Sequence, residues 1–278
     1  MVLTIYRLLI LCSKYQDKCN KMDIMTAIKN KKSTFRSRLL SDEELVGIFV
    51  KTPAYQVMEV LGSSELDFLI IDQEHSPFDL KAIDSCLMAA NCVDMPTFVR
   101  IQQNTATGML YPLDCGAAGV IVPHVATLEK ATEIGHGGRY RGGTRGFAGT
   151  QRAGGYGTKE MNEYIDLADA QNTIIAQIED VEAVENIEKI VDVESIDAFF
   201  LGRADLTVGY GAKSQNDKIV LDALEHVCSV VRKAGKHLAA YSGPSEKQAL
   251  RDLGVTMFTV GSEQSLILSG ANDIARNY

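Results

Sequence analysis

No two of the six cysteines in this 278-residue sequence are spaced Cys-x-x-Cys, which excludes zinc-finger and dithiol redox motifs. Three of them, Cys86, Cys115 and Cys228, fall among apolar residues, where a free thiol packs as a small hydrophobe. Reduced thiols of a cytoplasmic protein fit this pattern better than a disulfide framework. Long apolar runs are missing too. The run "YRLLILC", Tyr6 to Cys12, falls far short of the roughly 20 residues that cross a bilayer. It also lacks the small-residue cleavage site of a secretory signal, so no membrane partner is expected. A basic surplus is absent as well: the net charge of −8 and pI near 5.2 exclude the footprint of a nucleic-acid-binding protein. No Gly-x-Gly-x-x-Gly follows the first strand, which argues against a dinucleotide-binding open sheet.

The charge that is present is unevenly spread. Residues 1–38 carry +7, leaving −15 on the rest. This basic segment is expected to be a tail, disordered or partly helical, ahead of one domain over 39–278. Within it, residues 1–21 have poor periodicity and read as a disordered extension or an upstream translation start before Met22.

From residue 45 onward, short unbroken apolar runs recur, as expected of strands buried on both faces. They are "LVGIFV" (45–50), "FLIID" (68–72), "TFVRI" (97–101) and "GVIVPHV" (119–125). Then come "TIIAQIE" (173–179), "IDAFFLG" (196–202), "HLAAYSG" (237–243) and "MFTVGSE" (257–263). Helical spacing fills the gaps. "SEKQALRDLG" predicts a helix capped by Ser245 and stopped at Gly254. "VEAVENIEKIVDVE" places Val181, Val184, Ile187 and Val191 on one stripe. "DKIVLDALEHVCSVVRKAG" ends in Arg232, Lys233 and Gly235, suited to the negative end of a helix. Eight alternations with no second core predict a single (β/α)8 TIM barrel. One long glycine-rich connection, about residues 135–172, interrupts the repeat.

In such barrels the chemistry lies where strands leave the core. Strand two delivers Asp72, Glu74 and His75; strand three delivers Arg100; strand four delivers Pro123 and His124. Strand five delivers Gln177 and Glu179, and Asp205 follows strand six just past Gly202. The last two strands end in Ser242–Gly243 and Gly261–Ser262. Each residue alone has a plain structural explanation. Arg100 could neutralise nearby acids, His124 beside Pro123 reads as a structural histidine, and Glu179 and Asp205 suit helix N-termini. Together at one end of one barrel they predict a site. Glu179 and Asp205, without a thiolate, suit a hard divalent cation: Mg²⁺, Mn²⁺ or Co²⁺. Such an ion binds a 2-oxo acid and stabilises its enolate as a Lewis acid. Arg100 would add positive charge and His75 would carry a proton.

At these residues the sequence resembles the HpcH/HpaI aldolase/citrate lyase family of class II, metal-dependent pyruvate aldolases, from about Gly47 to Ile274. The anchors are "IDQEHSPFD", "FVRI", "LDCGAAGVIVPHV", "RGGTRGFAG", "AQIEDVEAVENIEKI", "IDAFFLGRADLT" and "GVTMFTVGSE". The resemblance implies a phosphoenolpyruvate/pyruvate-type barrel with Glu179 and Asp205 on the metal and Gln177 beside the substrate. It implies that Arg100 stabilises the enolate and that the amides of Ala204 and Asp205 hold the substrate carboxylate. His75, helped by Asp72 or Asp114, would shuttle the proton. The substrates implied are a 2-oxo acid and an aldehyde, and the assembly a homo-oligomer, hexameric or dimer-based, with a swapped C-terminal helix. The alternatives are a citrate lyase β or malyl-CoA lyase-like enzyme acting on a CoA thioester, or a non-catalytic barrel. Departures from the family pattern are Gln73 within the strand-two motif, Arg203 before Ala-Asp-Leu, and Phe49 where tryptophan is common. Arg203 raises the question of a second acidic group on the substrate. The stretch "RYRGGTRGFAGTQRAGGYG" is expected to be a lid or a subunit contact rather than a phosphate cradle.

Overall fold

A computed structural model describes residues 34–243 and 245–278. Most of the expected basic tail therefore lies outside the described residues. Its last part does not, and it folds with the barrel. Helix α1 (Phe35–Leu40), capped by the Thr34 side chain, spans the expected boundary at 38/39 and buries Phe35 and Leu39.

Strands β1 (Leu45–Val50), β2 (Phe68–Asp72), β3 (Thr97–Arg100) and β4 (Gly119–Val122) alternate with α2 (Tyr55–Gly62), α3 (Leu80–Cys92), α4 (Ala106–Asp114) and α5 (Leu128–Gly137). Helix α6 (Met161–Gln171) then leads into β5 (Thr173–Ile178), which is followed by two short helices, α7 (Val181–Glu185) and α8 (Ile187–Ile190). The second half closes with β6 (Ala198–Leu201), α9 (Arg203–Gly209), α10 (Lys218–Lys233), β7 (His237–Tyr241), α11 (Lys247–Asp252), β8 (Val255–Ser262) and α12 (Glu263–Asn277). All eight strands pair in parallel and in chain order, β8 closing on β1. The expected TIM barrel is what the chain forms.

Three local expectations need correction. The long connection after α5 is not loop throughout, because residues 161–171 form α6, whose first amides are capped by the Glu160 carboxylate. The single stripe from Val181 to Val191 breaks at Asn186, whose side chain donates instead to the carbonyl of Ala126. Ser245 is not the cap of the helix before Gly254; Glu246 takes that position, with no side-chain hydrogen bond. In the glycine-rich stretch, Arg139 pairs with Asp197, Arg141 with Asp166, Arg145 with Asp114 and Arg152 with Asp84.

Two apolar layers result from the alternation of side chains along each strand. Leu69, Ile71, Val99 and Val120 face the helices, while Phe68, Ile70, Phe98, Ile121 and Ile175 fill the lumen. Phe35 closes the lumen floor, its ring edge-on to Phe98 at 4.8 Å and to Phe68 at 5.5 Å. Below it, the buried Asp197 accepts hydrogen bonds from Arg36, Arg139 and the amide of Ile174, tying α1 to β5 and β6. Among the described residues no helix is long and apolar enough to cross a membrane. Removing the floor ring leaves a cavity that its neighbours cannot fill. Phe35→Ala is expected to lower unfolding stability by about 3–5 kcal/mol, measured by urea titration. A loss under about 1 kcal/mol would show that α1 is not part of the core.

Candidate active site

The lumen parity decides which side chains crown the barrel. Counting in twos from the inward Phe49, Phe68, Phe98, Ile175 and Phe200 leads to Lys51, Asp72, Arg100, Gln177 and Gly202. Above the apolar floor this ring opens into a cavity of about 630 Å³, also lined by His75, Arg203, Ala204 and Asp205. That volume is in the range of small-molecule sites.

Asp72 is wholly buried at the centre of the ring. Strand register sets it beside Arg100, whose Nε and Nη2 donate to its Oδ1 at 3.1 and 2.9 Å. The same oxygen accepts the backbone N–H of His75 at 3.2 Å, and Oδ2 lies 3.3 Å from Lys51 Nζ. Arg100 is fixed on its other sides by the Phe49 ring, 4.7 Å from its guanidinium carbon, and by Glu74 Oε2 at 3.3 Å. Lys51 is fixed from behind. The carboxylate of Glu263, buried in the first turn of α12, accepts the backbone N–H groups of Lys51 and Thr52.

A second group lies where β4 and β5 end. Glu179 is buried; its Oε2 accepts from Gln177 Nε2 and its Oε1 from the backbone N–H of His124 at 2.9 Å. Glycine is required at 202, since a Cβ there would stand 2.3 Å from the Cβ of Glu179. Burial pushes the Glu179 carboxyl above the ordinary range, against the bonds from Gln177 and His124, and the charge of Glu74 adds to the rise. His124 adopts a left-handed backbone, φ 54°, with Nδ1 3.2 Å from both oxygens of Asp180 and Nε2 3.7 Å from Glu74 Oε1. Burial opposes charge on this ring, but Glu179, Asp180 and Glu74 together raise its pKa above the usual histidine value.

These residues fit a divalent cation. One oxygen or nitrogen from each of Glu74, His124 and Glu179 lies within 4.8 Å of the others. Gln177 Oε1 is a buried acceptor with no hydrogen-bond donor, and Glu74 Oε2 has only its ion pair with Arg100 at 3.3 Å, so acceptor oxygens remain for a cation to satisfy.

The sequence-predicted residues are only partly brought together. His75, Arg100, Gln177, Ala204 and Asp205 line one cavity, with Asp72 behind Arg100 and Lys51. Asp72 reaches His75 through its backbone rather than its ring, and the exposed ring instead lies 3.7 Å from Glu74. Asp205 is exposed in the first turn of α9 and is not one of the close-set triad. Asp114 ends α4, bonds Arg145 and does not line the cavity. Arg203 lines the cavity, but its guanidinium is engaged by Glu246 and Gln215. Lys51, and the place of Glu74 beside His124 and Glu179, escaped the strand-end reading. Extending the parity of β1 by one residue pair would have found Lys51. The contact between Glu263 and β1 leaves no local signal.

Comparison with known proteins agrees with this geometry. The model of the HpcH/HpaI aldolase/citrate lyase family matches residues 45–269. A hydroxypyruvate/pyruvate aldolase of Roseobacter denitrificans is 28% identical over 88% of this chain and 97% of its own length. A 4-hydroxy-2-oxo-heptane-1,7-dioate aldolase of Shigella sonnei is 28% identical over 88% of this chain and 95% of its own. The crystal structure of an HpcH/HpaI aldolase/citrate lyase family protein from Burkholderia cenocepacia superposes with a TM-score of 0.82 at 26% identity, covering 87% of this chain and 97% of that one. With the family model spanning most of the barrel, and the polar ring seated at the mouth where barrel enzymes do their chemistry, the chain belongs to the HpcH/HpaI aldolase/citrate lyase family of carbon–carbon lyases.

Proposed function

We propose that this lyase reversibly cleaves a 4-hydroxy-2-oxo acid into pyruvate, or a close 2-oxo acid, and an aldehyde. The observation that carries the reading is a clamped guanidinium at the barrel mouth. Arg100 is fixed by Asp72, Glu74 and Phe49 within one cavity shared with Gln177, Asp205 and His75.

Cleavage of the bond between C3 and C4 leaves its electron pair on C3, delocalised onto the C2 oxygen. That oxygen needs a positive partner that does not have to reorganise, and Arg100 is held in place before substrate arrives. The C4 hydroxyl must lose its proton as the aldehyde forms. His75, exposed over the cavity and set by its backbone bond to Asp72, takes it. In the synthetic direction His75 returns the proton to the new alkoxide. Glu179 and Asp205 would hold a divalent cation, Mg²⁺, Mn²⁺ or Co²⁺, which supplies Lewis acidity toward the oxygens of the 2-oxo acid. The amides of Ala204 and Asp205 receive the substrate carboxylate, with Gln177 beside the substrate. Asp114 takes no part within one chain.

Two further features belong to this reading. Helix α12 buries only Glu263, while Leu266, Ile267, Leu268 and Ile274 are each more than half exposed. Such an apolar helix face calls for a cover, and a second copy of the chain supplies it in a dimer-based or hexameric assembly. The buried thiols, pushed up by desolvation to about 11 at Cys86 and Cys115 and about 12 at Cys228, stay protonated, as suits a cytoplasmic enzyme.

In D₂O with Mn²⁺ or Mg²⁺, the enzyme is expected to exchange the methyl protons of pyruvate, followed by NMR, and a chelator should stop it. His75→Ala should keep cation binding while losing aldol cleavage. Exchange absent with every cation would overturn the pyruvate assignment and favour a CoA thioester. The Leu266→Glu/Ile267→Glu variant should lower the particle mass in light scattering; a monomeric parent protein would contradict the assembly.

A further inference from the structure

We infer that Arg203 selects an aldehyde carrying a carboxylate of its own, so that the substrate is a diacid with one acidic group at each end. The inference rests on the aldol reading above and names the half of the substrate that reading leaves open.

The wall of the cavity is the first support. A volume of about 630 Å³ is far more than pyruvate fills, and Arg100, Gln177, Ala204 and Asp205 account for one part of the lining. Past β6, β7 and β8 the lining passes to Arg203, Gln215, Tyr241, Ser262 and Gln264. Each of these side chains ends in a polar group. The aromatic lining, Phe49 and Phe200, lies in the layer beneath Arg100 instead. A polar tail suits this wall, whereas an apolar tail would cover its polar groups without satisfying them.

The sign of the charge is the second. Lys51, Arg100 and Arg203 line the cavity against the single carboxylate of Asp205, in a chain whose net charge is −8. A mouth of that sign concentrates anions. Arg100 faces the enolate oxygen and Lys51 is paired with the buried Asp72, which leaves Arg203 for a second acidic group.

The way Arg203 is held is the third. Its Nη2 donates to Glu246 and its Nε to Gln215 at 2.8 Å, and among the described residues no acceptor engages Nη1. Glu246 is fixed in turn, its Oε2 accepting the N–H of Gly243 at 3.0 Å. Burial works against charge on Glu246, yet the bonds from Arg203 and Gly243 hold its carboxyl below the ordinary range. The guanidinium is thus oriented before substrate arrives and keeps donors in reserve. Helix α9 gains nothing from it: Arg203 is the first residue, where the helix dipole favours acidic groups.

The test reads binding and needs no turnover. Analogues without the 4-hydroxyl cannot be cleaved, and they are compared in pairs of equal carbon chain. The pairs are 2-oxopentanedioate with 2-oxopentanoate, 2-oxohexanedioate with 2-oxohexanoate, and 2-oxoheptanedioate with 2-oxoheptanoate. Calorimetric titration of the full chain with Mn²⁺ should show at least one diacid binding roughly 10–100-fold more tightly than its monoacid. Arg203→Gln should bring that ratio close to one. Glu246→Gln, which breaks the clip but leaves the cation, should keep a preference for the diacid, and circular dichroism should show both variants folded. No diacid preferred by the parent protein, a preference that survives Arg203→Gln, or one lost equally in Glu246→Gln would overturn the inference. Failure of the pyruvate exchange with Arg203-dependent diacid binding intact would instead overturn the aldolase reading alone.

Discussion

One buried carboxylate organises the barrel mouth. Asp72 has no exposed surface, yet it holds Arg100 through two hydrogen bonds, Lys51 through an ion pair and the N–H of His75. A carboxylate buried without partners would be costly, and here Arg100 and Lys51 pair with it. The dependence runs both ways. Arg100, itself buried, is held by Asp72 and Glu74, and the backbone of Lys51 is held by the Glu263 carboxylate from α12. Charge paired in this way costs little further reorganisation when an oxyanion appears beside it.

The apolar lumen gives this arrangement its strength. Phe35, Phe68 and Phe98 seal the floor, and Phe49 with Phe200 forms the next layer directly under Arg100. With water excluded from below, interactions at the ring are less screened than at a surface. The same packing explains the clearances. Gly202 must lack a side chain so that Glu179 can stand inside the ring, and Gly47 must lack one because a Cβ would meet the carbonyl of Phe68 at 2.3 Å.

Much of this was legible in the sequence. Unbroken apolar runs located all eight strands, because strands buried on both faces leave a continuous hydrophobic signal. Arg100, Gln177 and His75 sit at the mouth because strand ends fix direction, and parity fixes which residues turn inward. Legibility ended where contacts join distant segments. His124 read as structural, and only folding shows it between Glu74, Glu179 and Asp180. Asp114, drawn to the site by resemblance, spends its carboxylate on Arg145. Helix α6 was hidden in a glycine-rich stretch because its apolar face is narrow, only Tyr164, Ile165 and Ala168 being buried. Phe35 looked like part of a basic tail because its charged neighbours mask a single ring that plugs a barrel.

The central claim is that Asp72 holds Arg100 and Lys51 ready for an enolate. The most direct test is the pyruvate deuteration rate of Asp72→Asn at saturating Mn²⁺, with Mn²⁺ binding measured in parallel. The account predicts a rate lower by about 100-fold, with Mn²⁺ affinity near that of the parent protein. A variant that exchanges pyruvate protons at the parent rate would contradict it.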